Sequence, residues 1–532
     1  MSVTTVSDTV VTARLLAVVV LLAAAIQSVG LPVPLTSARD TQSAAIARHL
    51  REDGLPRGLL YPRGSFSADG GGTVLMEFPL VAALGAGTEA LVPALGERAY
   101  RLPSMAFGAL AVVALFDVVR RRAGGAAAIA TAALLAFSPL HLEMAASPRP
   151  DEGAFALALA ALALADRARL KASAAVLALA LLAKTTFAAF LVPWAILVAR
   201  PAGFRRAIAD PKRWILAALA LAPAALWHWH AERVNAQSSL MGSLTVLEAA
   251  SGYARQKGRL AFFVEPRWYA AVGARLAAAA TIAGSALAAI GAALVLLRRR
   301  ADGAGLAGPF ALAFAALLVL FPWNAYDHHY YVLAGLPLTA LCGGLAIDSA
   351  RRGARAFGAP LALALLAPAA IPGAIDAAER LRQFSPGAVA FGEAVRRATP
   401  EGSFVIVCAP VMATWDGSLL YRAERAGWRY STQTADENDP ADMARLAEER
   451  RARGALVAGA NKVPFSFSRA HYLDGAEVER LRARGATHFA YVGTLDRLRA
   501  ERLPLARHLV DRYRLLVESG ASPTVFDLRA RE

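Results

Sequence analysis

Charge is what this chain has too little of. Of its 532 residues only 18% are Asp, Glu, Lys or Arg, where a soluble protein carries roughly a quarter. Cysteine is nearly absent as well. Cys342 stands in an apolar run and Cys408 in a polar tail, which excludes a disulfide framework. Acidic residues are outnumbered, 41 against 57 Lys and Arg, leaving a formal net charge of +16. That excess does not point to nucleic acid, because the arginines cluster beside apolar runs: Arg120-Arg121-Arg122, Arg205-Arg206, Arg298-Arg299-Arg300 and Arg351-Arg352. Short cytoplasmic loops of membrane proteins hold Lys and Arg in this way.

What the chain does have is apolar length. Hydrophobic residues make up 56% of it and the mean hydropathy is +0.42. Runs of spanning length recur from Val10 to Ile375 and then stop. A run of roughly 18 apolar residues crosses a hydrocarbon core as a helix. The first, Val10 to Leu31, reads as an uncleaved helix, since only Arg14 precedes its core and it is long for a signal peptide. With the arginine clusters placed in the cytoplasm, the chain threads as a polytopic α-helical membrane protein of about eleven spans. Residues 1–385 form the membrane domain, with an outside loop at 32–101 in which Phe78 to Leu95 lies at the interface. Ala126 to Met144 and Ala270 to Leu297 are each expected to cross once. The run Ala172 to Val198 is interrupted by Lys184-Thr185-Thr186 and divides into two short helices meeting outside at Lys184.

Residues 386–532 read as a small α/β domain on the non-cytoplasmic side. Phe404 to Cys408, His488 to Val492 and Thr524 to Leu528 have strand character. Ala441 to Arg453 and Gly475 to Arg484 have helical periodicity. This tail has no phosphate-binding glycine loop, metal-ligand spacing or nucleophile elbow. It is expected to pack or dock an acceptor without catalytic residues.

The threading puts the polar islands on one side of the membrane: Arg39-Asp40, Glu77, Arg149 with Asp151 and Glu152, Lys184, and Asp327-His328-His329. Charges at helix ends can simply snorkel to water. Five islands on one side suit a site or a pathway better. The carboxylates would supply a general base or a metal ligand, and the cations a counter-charge for an anionic substrate.

The islands carry short motifs in a fixed order. Thr36 to Arg48 contains an acid after the first helix and an Ala-Arg pair. Glu77-Phe78-Pro79-Leu80 stands where a Lys-Pro-Pro-Leu-like element would, and Arg101-Leu102-Pro103-Ser104 opens the second span. Ser138-Pro139, Arg149-Pro150-Asp151, Leu182-Ala183-Lys184-Thr185 and His329-Tyr330-Tyr331 with Leu336-Pro337 follow. In this order, over about residues 10 to 350, the chain resembles the GT-C glycosyltransferases, and among them the protein O-mannosyltransferases and lipid A aminoarabinose transferases. Two positions depart from the pattern. Glu77 and Phe78 replace a lysine, and Thr185 replaces a glycine.

The resemblance implies transfer of a sugar from a polyprenyl-phosphate donor to a hydroxyl of a lipid, glycan or protein acceptor. The reaction would invert the anomeric carbon, at the outer face of the bacterial cytoplasmic membrane. Asp40 would be the general base, with Asp151 as the second catalytic acid residue. Lys184, Arg149 and one of His328 or His329 would hold the donor phosphate, and Arg39 and Glu77 would serve the first loop or the acceptor. No cofactor is required by the motifs; a divalent cation on Asp40, Asp151 or Glu152 is compatible with them. An alternative role for Asp40 is the cap of a helix from Thr41 to Leu50. An alternative for the whole chain is a polytopic transporter or lipid flippase, though it lacks the paired repeats common in those.

Overall fold

The computed structural model describes residues 3–68, 73, 75–200, 203–235, 263–297, 304–354, 357–409, 417–431, 473–517 and 522–530. The chain divides into two compact units. One comprises Met1–Val33, Met76–Ala231 and Thr245–Gln383; the other comprises Pro34–Leu75, Glu232–Leu244 and Phe384–Glu532. Pro34–Leu75 therefore packs with the C-terminal tail. The expected helix over Ala441 to Arg453 and the Arg298-Arg299-Arg300 cluster lie outside the described residues.

The first unit is a multi-pass helical membrane domain. Among the described residues five helices are long and apolar enough to cross a bilayer, and two bent pairs raise the number to seven if each pair is one span. Leu170–Ala183, Thr185–Ala199 and Gly305–Leu320 are apolar but shorter, and the expected count of about eleven includes them; Leu80–Leu91, also short, falls in the segment expected at the interface. The spanning window of Val10–Ser28 is 11% buried and that of His329–Gly353 is 89% buried. The former turns leucines such as Leu15, Leu21 and Leu22 outward, as a lipid-facing helix does, while the latter forms the middle of the bundle. Small residues let helices meet closely there. A Cβ on Gly291 would collide with the carbonyl of Cys342.

Two expected single crossings are bent, for identifiable reasons. Gly125–Ala136 and Pro139–Ala145 meet at 65°. Pro139 lacks an N–H and cannot continue the preceding helix. Ser138 instead caps the new one, accepting from the His141 N–H at 3.4 Å while its hydroxyl donates to the Ala279 carbonyl at 2.6 Å. Pro266–Ala280 and Ile282–Leu297 meet at 106°. The turn is made at Thr281, whose φ of 66° is unusual for a β-branched residue. Its hydroxyl accepts from the Gly284 N–H at 3.1 Å and so caps the second helix.

The second unit is built on a sheet ordered β2-β1-β3-β5-β4, with β1 Phe404–Ala409, β2 Ala426–Ser431, β3 His488–Tyr491, β4 Arg514–Leu515 and β5 Thr524–Asp527. β1 runs parallel to β2 and β3, and β5 runs antiparallel to β3 and β4. The Pro34–Leu75 segment joins it at the β2 edge. The Ala68 N–H donates to the Gly427 carbonyl at 2.7 Å, and the Gly427 N–H donates to the Phe66 carbonyl at 2.9 Å. An exposed strand edge is thereby paired. Helix Gly475–Ala483 stands where periodicity puts it.

Within this sheet His488 is fully enclosed. Burial pushes its pKa from 6.5 down to about 4, and neighbouring Asp527, bonded by Arg529, is held down at about 2. His488 is thus neutral in the folded sheet but takes a proton near pH 6.5 when unfolded. Its contribution is complete above pH 6.5 and is lost as pH falls towards 4, on the order of 3 kcal/mol. Hydrogen exchange of the Phe489–Tyr491 amides, corrected for intrinsic rate, should lose protection over that range. In His488→Gln the loss should be much smaller.

Candidate functional site

The first unit gathers its charged residues around the break at Lys184. Helix Leu170–Ala183 ends there, Lys184 is extended at φ −160° and ψ 111°, and a 3₁₀ turn runs Thr185–Phe190. The break expected from sequence is present. Thr185 in place of glycine is also accounted for, since nothing at this turn requires a positive φ. The Thr185 hydroxyl instead hydrogen-bonds His228 Nε2.

Breaking the helix puts an ammonium group where an unbroken run would bury apolar atoms. Lys184 and Asp151 are only 5% and 4% exposed. Lys184 Nζ lies 2.7 Å from Asp151 Oδ1 and 3.7 Å from Glu77 Oε1. Asp151 comes from the first turn of helix Pro150–Asp166, whose Pro150 suits the first helical position. Glu77 is held by its neighbours. The Phe78 N–H donates to the Leu182 carbonyl at 3.1 Å, and Trp227 Nε1 donates to the Met76 carbonyl at 3.0 Å. Phe78 packs edge-on against Trp227 at 5.1 Å. The replacement of a lysine by Glu77-Phe78 therefore adds a carboxylate beside Lys184 and an aromatic contact behind it.

Tyr330 collects the cations. Lys184 Nζ stands 4.9 Å from its ring centroid and the Arg149 guanidinium 6.0 Å, with Lys184 also 5.9 Å from Tyr331. Such distances are within the range of cation–π attraction. His328 stacks on Tyr330 at 5.2 Å with planes 10° apart. His329 meets the same ring edge-on at 5.7 Å and aims its Nε2 at Glu143 Oε1, 3.0 Å away, and Glu143 also meets Arg380 at 3.5 Å. Of the two histidines expected at the phosphate, His328 is the one stacked face to face on the ring that carries Lys184.

The structure thus brings together Glu77, Arg149, Asp151, Lys184 and His328. Asp40 and Arg39 belong to the other unit. Their helix runs Ala38–Asp53 and starts earlier than expected, with Ser37 as its cap accepting from the Asp40 N–H at 3.1 Å. Asp40 is therefore not the cap, and its half-buried carboxylate sits in the first turn. Arg39 donates to Gln42 at 3.2 Å. Glu152 faces His141 at 3.2 Å. Among the described residues no group of three or more His, Cys, Asp or Glu side chains could hold a metal ion.

Sequence reading missed Tyr330 and Tyr331 as site residues, and missed Glu143, His141 and Arg380 altogether. His141 and Glu143 interrupt an apolar run, a signal in itself because ionisable groups at membrane depth are costly.

Residues 78–229, which include Arg149, Asp151 and Lys184, match the family model of dolichyl-phosphate-mannose-protein mannosyltransferases. The whole fold is similar to ArnT from Cupriavidus metallidurans bound to undecaprenyl phosphate, with a TM-score of 0.59 at 15% identity over 96% of this chain and 97% of that one. The fold is that of the GT-C glycosyltransferases. An oligosaccharyltransferase from Archaeoglobus fulgidus, in complex with Zn and sulfate, is also similar, with a TM-score of 0.53 at 14% identity over 96% of this chain and 73% of that one. The archaeal oligosaccharyltransferase AglB from the same organism, in complex with an inhibitory peptide and a dolichol-phosphate, gives 0.52 at 13% identity over 95% and 73%. No curated protein sequence matches the chain. The resemblance carried by the ordered motifs is borne out by this GT-C fold and by the family match.

The Lys184–Asp151 pair has a consequence for stability. Removing one member of a buried ion pair leaves the other uncompensated, at a cost of roughly 3–5 kcal/mol. Lys184→Met should therefore lower the melting temperature in detergent clearly. Lys184→Met/Asp151→Asn should recover most of the loss, and purely additive effects of the two changes would contradict the pairing.

Proposed function

We propose that this protein is a membrane glycosyltransferase that moves a sugar from a polyprenyl-phosphate donor to the hydroxyl of an acceptor. The observation that carries the reading is the buried Lys184, set between Asp151 and Glu77 and beside Tyr330 with Arg149, in a GT-C fold. A lipid-linked phosphate is an anion whose chain stays in the bilayer. A cationic group enclosed in a membrane unit suits it, because charge-assisted bonds are strong where water is scarce.

The chemistry follows from where charge develops. An acceptor oxygen attacks the anomeric carbon as the carbon–oxygen bond to phosphate breaks, inverting the centre in one displacement. The leaving phosphate gains negative charge, so Lys184 and Arg149, already in place, favour the transition state over the ground state. His328, stacked on Tyr330, adds a further donor. Asp40 takes the proton from the acceptor hydroxyl. Asp151 keeps the Lys184 ammonium aimed and charged, and Glu77 does the same from the other side. The arginine clusters beside the apolar runs support a bacterial cytoplasmic membrane protein of about eleven spans, with the reaction and the C-terminal residues 386–532 at the outer face. The acceptor is a lipid, glycan or protein of that face.

Asp40→Asn tests the assignment of the base. Ser37 caps the helix, so the substitution keeps the cap and weakens a first-turn charge interaction of roughly 0.3–1 kcal/mol. The variant should melt close to the parent yet transfer about 10²–10⁴-fold more slowly. Transfer from a labelled polyprenyl-phosphate sugar to cell-envelope acceptors is the measurement. Near-parental turnover in the folded variant would remove Asp40 from the mechanism.

A further inference from the structure

The first unit buries an imidazole and a carboxylate that the proposed reaction does not use. His141, on helix Pro139–Ala145, and Glu152, on helix Pro150–Asp166, are both 0% exposed. His141 Nδ1 and Glu152 Oε1 stand 3.2 Å apart, off the line of a hydrogen bond. No described protein group bonds either ring nitrogen or either carboxylate oxygen. The ring of Phe155 lies 6.4 Å from that of His141. A charge left alone in such a place costs several kcal/mol, so each group depends on the other.

Both helices present site residues on their other faces. Successive side chains on an α-helix are about 100° apart. Glu143, two residues beyond His141, therefore points roughly the opposite way, to His329 and Arg380. Asp151, one residue before Glu152, points about a quarter-turn aside, to Lys184. Turning either helix far enough to move Glu143 or Asp151 would part His141 from Glu152 and strand a polar group in the core.

We propose that His141 and Glu152 are positioning residues for the transfer reaction. Their contact sets the rotation of two adjoining helices, so that Asp151 holds Lys184 in register for the donor phosphate, and Glu143 holds His329 against the edge of Tyr330. The inference rests on the glycosyltransferase reading of the site.

Replacing a buried ionic pair by apolar residues is often neutral or stabilising, which separates positioning from mere stability. His141→Leu/Glu152→Met removes the contact, whereas Glu152→Gln keeps its shape. The measurements are melting temperature, binding of undecaprenyl phosphate in detergent micelles, and kcat and KM for transfer. The double variant should stay folded but bind undecaprenyl phosphate and transfer at least about tenfold less well, since a shift near 1 Å can cost ~10²-fold. Glu152→Gln should keep most of both. A folded double variant with parental binding and transfer overturns the proposal. Should the double variant fail to fold, His141→Asn, which breaks the contact but keeps a polar group, is measured in its place, and parental binding and transfer there overturn the proposal equally. A parent that neither binds undecaprenyl phosphate nor transfers sugar overturns the glycosyltransferase reading, and the positioning role with it. That outcome is distinct from an active parent with indifferent variants.

Discussion

The candidate site depends on one buried ion pair, Lys184 with Asp151 at 2.7 Å. An ammonium and a carboxylate in a membrane unit are each costly to hold away from water, and their mutual attraction offsets this only when geometry and extra partners are good. The extra partners are present. Glu77 stands on one side, and Tyr330 offers a ring face that also meets Arg149. A pair kept in spite of that cost suggests a role beyond packing, since Leu or Met would fill the same space more cheaply.

The breaks in the helices follow from the need to bring these groups together. Lys184 lies between two short helices, and Asp151 and Arg149 lie at the start of another. Ser138-Pro139 stops one helix and starts a second that carries His141 and Glu143. Each break frees backbone groups that must find partners, and the Ser138 and Thr281 hydroxyls answer that need locally. Chemistry-bearing side chains therefore stand at helix ends, where the backbone is already interrupted, and the unbroken His329–Gly353 segment supplies the packed interior.

Much of this was legible in the sequence, and unevenly. Apolar runs announced the membrane unit because hydrophobic length is a strong signal. Lys184 announced a break because it interrupts such a run. Bends were harder to see: Pro139 and Thr281 lie inside runs of spanning length, so apolar length alone counts one crossing. In the sheet, β1, β3 and β5 were read from short β-forming runs bounded by turn residues; the two-residue β4 was missed, and so was β2. Its Ala426-Gly427-Trp428-Arg429 has no such pattern, and Gly427 is needed because a Cβ would strike the Val405 carbonyl. The pairing of Phe66 and Ala68 with Gly427 joins residues far apart in the chain, and no local pattern encodes it. At the site, although Glu143 and Arg380 were passed over, Glu77, Arg149, Asp151 and Lys184 were found because charge is conspicuous in an apolar sequence. The aromatic ring that gathers them was not, since tyrosines near a membrane interface are ordinary.

The central claim is that the Lys184 cluster holds a lipid-linked phosphate. The most direct test is equilibrium binding of undecaprenyl phosphate to the purified protein and to Lys184→Met/Asp151→Asn, which removes the ammonium together with its nearest carboxylate. Loss of a hydrogen bond to a charged group is worth roughly 1.5–3 kcal/mol, so the variant should bind at least about tenfold more weakly. Equal affinity in a folded variant would contradict the account.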